Sequence, residues 1–209
     1  MQTIAMEYSP GISNPYVSRV DGGTLEFVRG LGCDVVSSGD LIQLFEATLS
    51  DEQWQSHLQA AVHTNEAFAL ACKLIAEKVQ ATGAIEEAAV QAAIMDHFAA
   101  NKMTTYHPPI VGVNANSGDP HYETGTGAIT KIQANDFVLI DLWAKLDHAN
   151  GIYSDLTRVG YVGENVPAEF TNVFDIVAAA RDAGIDAVRQ ALANDKTIQG
   201  WKLMRQHVT

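Results

Sequence analysis

Val138-Leu-Ile-Asp-Leu-Trp-Ala144, followed shortly by Tyr153-Ser-Asp-Leu-Thr-Arg158, sets one aspartate inside each of two segments that otherwise read as strands. Leu139 and Trp143 share a strand face with Asp141, so that face is expected to be covered. Burying an ionised carboxylate without a partner costs several kcal/mol. Asp141 and Asp155 therefore point to a shared cation, the alternative being two residues on the exposed face of a one-sided sheet.

Whether they can share one depends on hairpin register. Phe137–Asp147 and Ile152–Val162 read as antiparallel strands. A two-residue turn at Asn150-Gly151 would pair Asp141 with Gly160 and put Asp155 on the opposite face. An odd-numbered loop reverses this. With His148-Ala149-Asn150 as the loop and Gly151 as a bulge glycine, Asp141 faces Thr157 and Asp155 faces Trp143. The carboxylates then become diagonal neighbours on one face, with backbones roughly 7–8 Å apart. The odd register is the expectation. Oxygen donors of this kind suit Mn²⁺, Mg²⁺ or Co²⁺ better than a thiolate zinc site would.

Upstream, Ile110–Val113 reads as a strand and Asn114-Ala-Asn-Ser-Gly-Asp-Pro120 as a turn-rich loop that aims His121-Tyr122. Ala128–Ile132 is a further short strand. Gly125-Thr-Gly127 lacks a following helix and reads as a flexible turn, not a phosphate loop. The strongest helix is 51–82, with Trp54, Leu58, Ala61, Phe68, Cys72, Ile75 and Val79 on one face, broken by Asn65, and Gly83 as its stop. Asp51 and Glu52 suit its N-terminus. Cys72 is expected to be a buried free thiol. His57 and His63 lie six apart, form no i,i+4 metal pair, and read as surface or interfacial residues. Ile85–Asn101 is a second helix, with Ile94 and Phe98 inward. Pro167 starts a third at N1, with Phe170, Phe174, Val177, Gly184, Val188 and Ala191 inward.

The first fifty residues read as β-α-β-α: Thr3–Tyr8, Thr24–Leu31 ended by Gly32, Asp34–Ser37, and Asp40–Leu49 capped by Ser38. The intervening Ser9–Pro15 is a loop. This piece is too small for its own core and is expected to be the tail of a larger α/β domain. The expected organisation is thus 1–50 as that remnant and 51–209 as part of a second domain.

Composition excludes several classes. The chain has 209 residues, is 47% apolar and carries a formal net charge of -12. That charge argues against nucleic-acid binding. Two cysteines without a CxxC motif give no disulfide framework. The N-terminus lacks a signal-peptide pattern, and no apolar run approaches the ~18 residues of a membrane span. The expectation is a cytoplasmic protein with no membrane partner.

Three segments in order, Asn114–Tyr122, Asp136–Ala144 and Gly151–Arg158, resemble the pita-bread metallopeptidases, which include Xaa-Pro aminopeptidases, prolidases and methionine aminopeptidases. Ala178-Ala-Ala-Arg-Asp-Ala183 in the last long helix is also similar to that family's pattern. The likeness covers roughly residues 51–209. The opening Met6–Pro10 and Ser18–Asp21 stretches resemble the end of the N-terminal domain of the Xaa-Pro branch.

The resemblance implies an α/β (α+β) chain: the first half of a pita-bread (creatinase/aminopeptidase) fold behind an N-terminal remnant. It implies Asp141 as a ligand of one metal and Asp155 as a bridge between two. His121 would lie outside the metal shell, assisting substrate binding and the transition state. Two divalent cations, Mn²⁺ favoured over Co²⁺ or Zn²⁺, would supply a bridging hydroxide. The substrate would be a peptide with proline at its second position, and the full-length enzyme a homodimer.

The family completes its site with a histidine in a Gly-His-Gly-like motif and two strand glutamates, all C-terminal. His207 lacks that glycine context, and Glu123, Glu164 and Glu169 come too early. The expectation is a fragment of an Xaa-Pro aminopeptidase or dipeptidase, inactive alone and prone to associate through an uncovered apolar face. The alternatives are a non-catalytic peptide- or protein-binding module of the same fold and a metal-free creatinase-like amidinohydrolase. The aspartate pair weighs against the latter.

Overall fold

The computed structural model describes residues 2–12 and 18–200. Residues 13–15 of the first loop, the segment Trp201–Met204 and His207 lie outside it. The chain forms two compact units, one of Leu49–Val166 and the other of Met1–Thr48 with Pro167–Thr209.

The Leu49–Val166 unit is built on α3, Asp51–Thr82. Ser50 and Gln53 close a capping box at its start, satisfying two backbone N–H groups that a helix end would otherwise orphan. Gly83 ends it in the left-handed conformation, φ 83°. β3 (Ala84–Glu86) follows, then α4 (Glu87–Ala100) and β4 (Met103–Thr104). β5 (Ile110–Val113), β6 (Lys131–Gln133), β7 (Phe137–Leu146) and β8 (Ser154–Tyr161) complete it. β7 is central: it pairs antiparallel with β8 on one edge and with β5 and β4 in succession on the other. β3 and β6 form a separate antiparallel pair.

Strand alternation decides what β7 buries. Val138, Ile140, Leu142 and Ala144 are all buried, in one core with Ala60, Ala67, Ala71 and Ile75 of α3 and Val90, Ile94 and Phe98 of α4. Helices therefore cover the even-numbered face of β7. Ser154, on the same face of β8, bonds the buried Thr64 hydroxyl at 2.8 Å.

The inward stripe of α3 differs from the expected one. Ser56, Ala60, Thr64, Ala67, Ala71 and Ile75 are buried; of these only Ile75 is on the expected line, while Ala60, Ala67 and Ala71 each lie one position before an expected residue. Trp54 is 49% exposed and Leu58 is also open. Small side chains let the helix axis approach the sheet, and the bulky Phe68, Leu74 and Val79 pack along the margins. Cys72 is a free thiol, as read, but it is exposed and not buried. Ile94 and Phe98 point inward as expected.

In the other unit, β1 (Thr3–Met6) and β2 (Asp34–Ser37) pair parallel, joined through α1 (Gly22–Gly30). α2 (Gly39–Glu46) follows. The β-α-β-α order matches the sequence reading. Ser38 holds the N-cap position of α2 but makes no side-chain cap bond. Instead the Ser37 hydroxyl accepts from Gly39 N–H at 3.2 Å. The last helix, α5 (Ala168–Ala193), starts one residue after Pro167 and has no buried residue. The expected inward line fails there, with Phe174 and Val177 more than half exposed.

Candidate metal centre

The β7–β8 ladder pairs Asp141 with Thr157 and Trp143 with Asp155. This is the odd register, and it puts both aspartates on one face. The connection that produces it is not the expected tight loop. Pairing with β8 stops at Ala144–Ser154, while β7 runs on to Leu146 to meet β4. Gly151 lies outside the left-handed region. Its glycine requirement is steric: an added Cβ would stand 2.2 Å from the Leu146 carbonyl oxygen.

The aspartates occupy the face opposite the helices. Asp141 is half-buried and Asp155 exposed. The expectation of a covered face is thus corrected: even-numbered residues fill the core, and Leu139, Asp141 and Trp143 face the more open side. Thr157 Oγ1 donates to Asp141 Oδ1 at 2.6 Å, fixing one carboxylate. Partial desolvation and then the Asp141 charge push the Asp155 carboxyl above its ordinary range. Among the described residues no Lys, Arg or His forms an ion pair with either. Two like charges held on one face, without a compensating cation from the protein, are a donor set that fits a hard divalent ion.

An aromatic wall borders the pair. Trp143 stacks on His107, with centroids 5.7 Å apart and planes at 19°, and Tyr106 lies 5.8 Å from Trp143. The Trp143 indole N–H is buried and has no acceptor among the described residues.

The loop carrying His121 starts over the same face. Ile110 pairs with Asp141 and Gly112 with Leu139, so both share the aspartate side. A Cβ on Gly112 would meet Asn116 and Ser117 backbone atoms at 3.1 Å, so the 3-10 turn Asn114–Gly118 lies directly on that strand. The chain then returns: Thr124 Oγ1 accepts from Val111 N–H at 2.7 Å and donates to its carbonyl at 3.1 Å. His121 is exposed, with its backbone N–H on the Asp119 carboxylate at 2.9 Å. The structure thus brings the two aspartates together and holds His121 on a loop rooted at their face, without an ion pair to either.

Sequence reasoning missed Glu87. Its side chain is only 2% exposed at the start of α4. It accepts from Val113 N–H at 2.7 Å, from Asn116 Nδ2 at 3.1 Å and from the Tyr122 hydroxyl. It therefore clamps both ends of the segment bearing His121, and the helix N-terminus favours its charge. Burial, then the Glu87 bond and charge, raise the Tyr122 pKa. The available signal was the acid pair Glu86-Glu87 at a helix start, opposite a polar loop.

The sequence matches the model of metallopeptidase family M24 over residues 55–200. No curated protein sequence matches it significantly. Solved structures share its fold. X-Pro aminopeptidase from Thermotoga maritima gives a TM-score of 0.57 at 18% identity, over 89% of this chain and 47% of that one. A dipeptidase from Mycobacterium ulcerans gives 0.61 at 21%, over 78% and 41%. X-prolyl aminopeptidase from Caenorhabditis elegans, described as a cytosolic enzyme with a di-nuclear active site, gives 0.56 at 23%, over 66% and 22%. The chain spans less than half the length of each of these.

Proposed function

The chain belongs to metallopeptidase family M24, and on that premise we propose that it carries the first part of a dinuclear site for cleaving Xaa-Pro peptides. The observation that carries this reading is the odd β7–β8 register, with Asp141 and Asp155 on one face. Asp141, steadied by Thr157, would hold one cation, and Asp155 would bridge two. Bound there, divalent cations, Mn²⁺ by preference, would polarise the scissile carbonyl and lower the pKa of a shared water. His121, on the loop clamped by Glu87, would donate to the developing oxyanion. Trp143 and His107 would offer a flat aromatic wall to the substrate.

Residues 1–50 would be the tail of the N-terminal domain of the Xaa-Pro branch. The described residues supply two of the five ligands that the family resemblance implies, so the 209 residues alone are expected to be inactive. The complete enzyme would act in the cytoplasm as a homodimer. Among the described residues no helix is long and apolar enough to cross a membrane.

The test has two arms. The chain alone, given Mn²⁺ and a Xaa-Pro dipeptide, is expected to show no turnover above metal-only background; clear turnover overturns the inactivity. In a longer version carrying the downstream histidine and glutamates, Asp155→Asn is expected to lower kcat/KM by at least about 100-fold. Unchanged cleavage removes Asp155 from the bridging role, and a longer version inert with every Xaa-Pro peptide favours the non-catalytic binding module.

A further inference from the structure

Away from the aspartates, on the helical side of the Leu49–Val166 unit, His63, Glu66 and His97 converge. His63 and Glu66 lie three apart on α3 and so share a face. His97 comes from the last turn of α4. His63 Nδ1 stands 3.0 Å from Glu66 Oε2, and His97 Nε2 stands 3.7 Å from the same oxygen. The ligand atoms of the three residues all lie within 4.8 Å of one another.

We propose that His63, Glu66 and His97 form a divalent-cation site of the zinc class that ties α3 to α4, separate from the aspartate pair. A tetrahedral zinc with bonds near 2.0–2.1 Å requires ligand atoms about 3.4 Å apart. The two measured separations bracket that value. The widest pair needs to close by at most about 1.4 Å, within reach of side-chain rotation. Two imidazoles and one carboxylate are a common zinc donor set, and three protein ligands leave a fourth position for solvent.

The hydrogen bonding around His97 also fits. Asn101 Nδ2 donates to the His97 backbone carbonyl at 2.8 Å, which orients the amide nitrogen. The same nitrogen lies 3.3 Å from His97 Nε2. An amide N–H bonded to Nε2 would use the same lone pair that a metal takes. The cation takes the place of the Asn101 contact. The C-terminal end of α4 adds a negative dipole end beside it. His63 is 27% exposed and His97 16%, so both rings are held by packing, while Glu66 at 54% can adjust.

The experiment uses the full chain with Asp141→Asn and Asp155→Asn together, which silences the other candidate site. Zn²⁺ titration by calorimetry is expected to give one bound equivalent, and Co²⁺ is expected to give the intense visible absorption of a low-coordinate site. Adding His63→Gln or His97→Gln should weaken binding at least about tenfold and extinguish that absorption. Thermal melts give a second readout that does not depend on activity. Zn²⁺ should raise the Tm of the double aspartate variant and leave that of the histidine variants unmoved, all melting alike in chelator. Three results overturn the proposal. One is loss of binding in the double aspartate variant; another is undiminished binding after both histidines are replaced. The third is a six-coordinate Co²⁺ spectrum, weak and pink, which would leave the cluster as an ordinary His–Glu ion-pair network.

Discussion

Asp155 carries the electrostatic consequence of the hairpin register. Its raised pKa means that the folded chain holds this proton more tightly than the unfolded chain does. The unfavourable contribution is absent below the ordinary carboxylate range and grows as pH rises through the raised value. Without added metal, Asp155→Asn is therefore expected to stabilise the chain at neutral pH by about 0.5 kcal/mol, a small effect because the group is exposed. The gain should vanish in acid, and thermal melts in chelator at the two pH values check it. Equal Tm shifts at both would mean that neither desolvation nor the Asp141 charge raises the Asp155 pKa in the folded chain. Glu87 makes the opposite case. Glu87→Ala would strand Val113 N–H and the Tyr122 hydroxyl without their acceptor, and a loss of roughly 3 kcal/mol in urea unfolding is expected. Tyr122→Phe, which removes one donor only, should lose about 1 kcal/mol.

At the scale of elements, α3 shows how far periodicity reads. Its span, its Gly83 stop and its charged first turn were all legible, because caps and dipoles act within a few residues. Its inward face was not. A search for large apolar residues selects Trp54, Leu58 and Phe68, whereas helix-on-sheet packing selects the alanines that permit close approach. Ala67→Leu should thus destabilise by about 1–3 kcal/mol through overpacking against the sheet. Trp54→Ala, at a half-exposed site, should cost under about 1 kcal/mol. Chemical denaturation of the two variants decides, and a costlier Trp54 change would restore the expected face. The β7–β8 hairpin divides similarly. Register parity followed from requiring two carboxylates on one face. The connection was misread because β7 pairs onward with β4, a two-residue strand with no sequence signature.

For the whole molecule, the connected hydrophobic core among the described residues lies entirely within Leu49–Val166. That segment alone is expected to unfold cooperatively, with a Tm within a few degrees of the full chain's. Calorimetry of the excised segment tests this, and a non-cooperative melt would mean that Met1–Thr48 or the α5 region is needed to complete the core. Outside the segment, Phe27, Leu44 and Phe45 near the N-terminus and Val173, Phe174 and Ile176 on α5 are large and open. The pita-bread relationship was legible because three motifs fall in order at loop, strand and strand. The α/β beginning was legible because short β-α units carry local punctuation.

The helices, most strands, the family, and the parity that sets Asp141 and Asp155 on one face were all legible along the chain. The family rests on three segments taken in order, and the others on patterns within one segment or one hairpin. Packing between elements set the rest: that the aspartate face is the open one, that Glu87 anchors the His121 loop, and that His63 finds His97. Those contacts join residues 26 to 35 positions apart in two cases, through Glu87 to Val113 and to Tyr122. His63 and His97 likewise sit on different helices. No spacing rule along one element records them, because side chains from separate elements meet only once the core has set the distance between those elements.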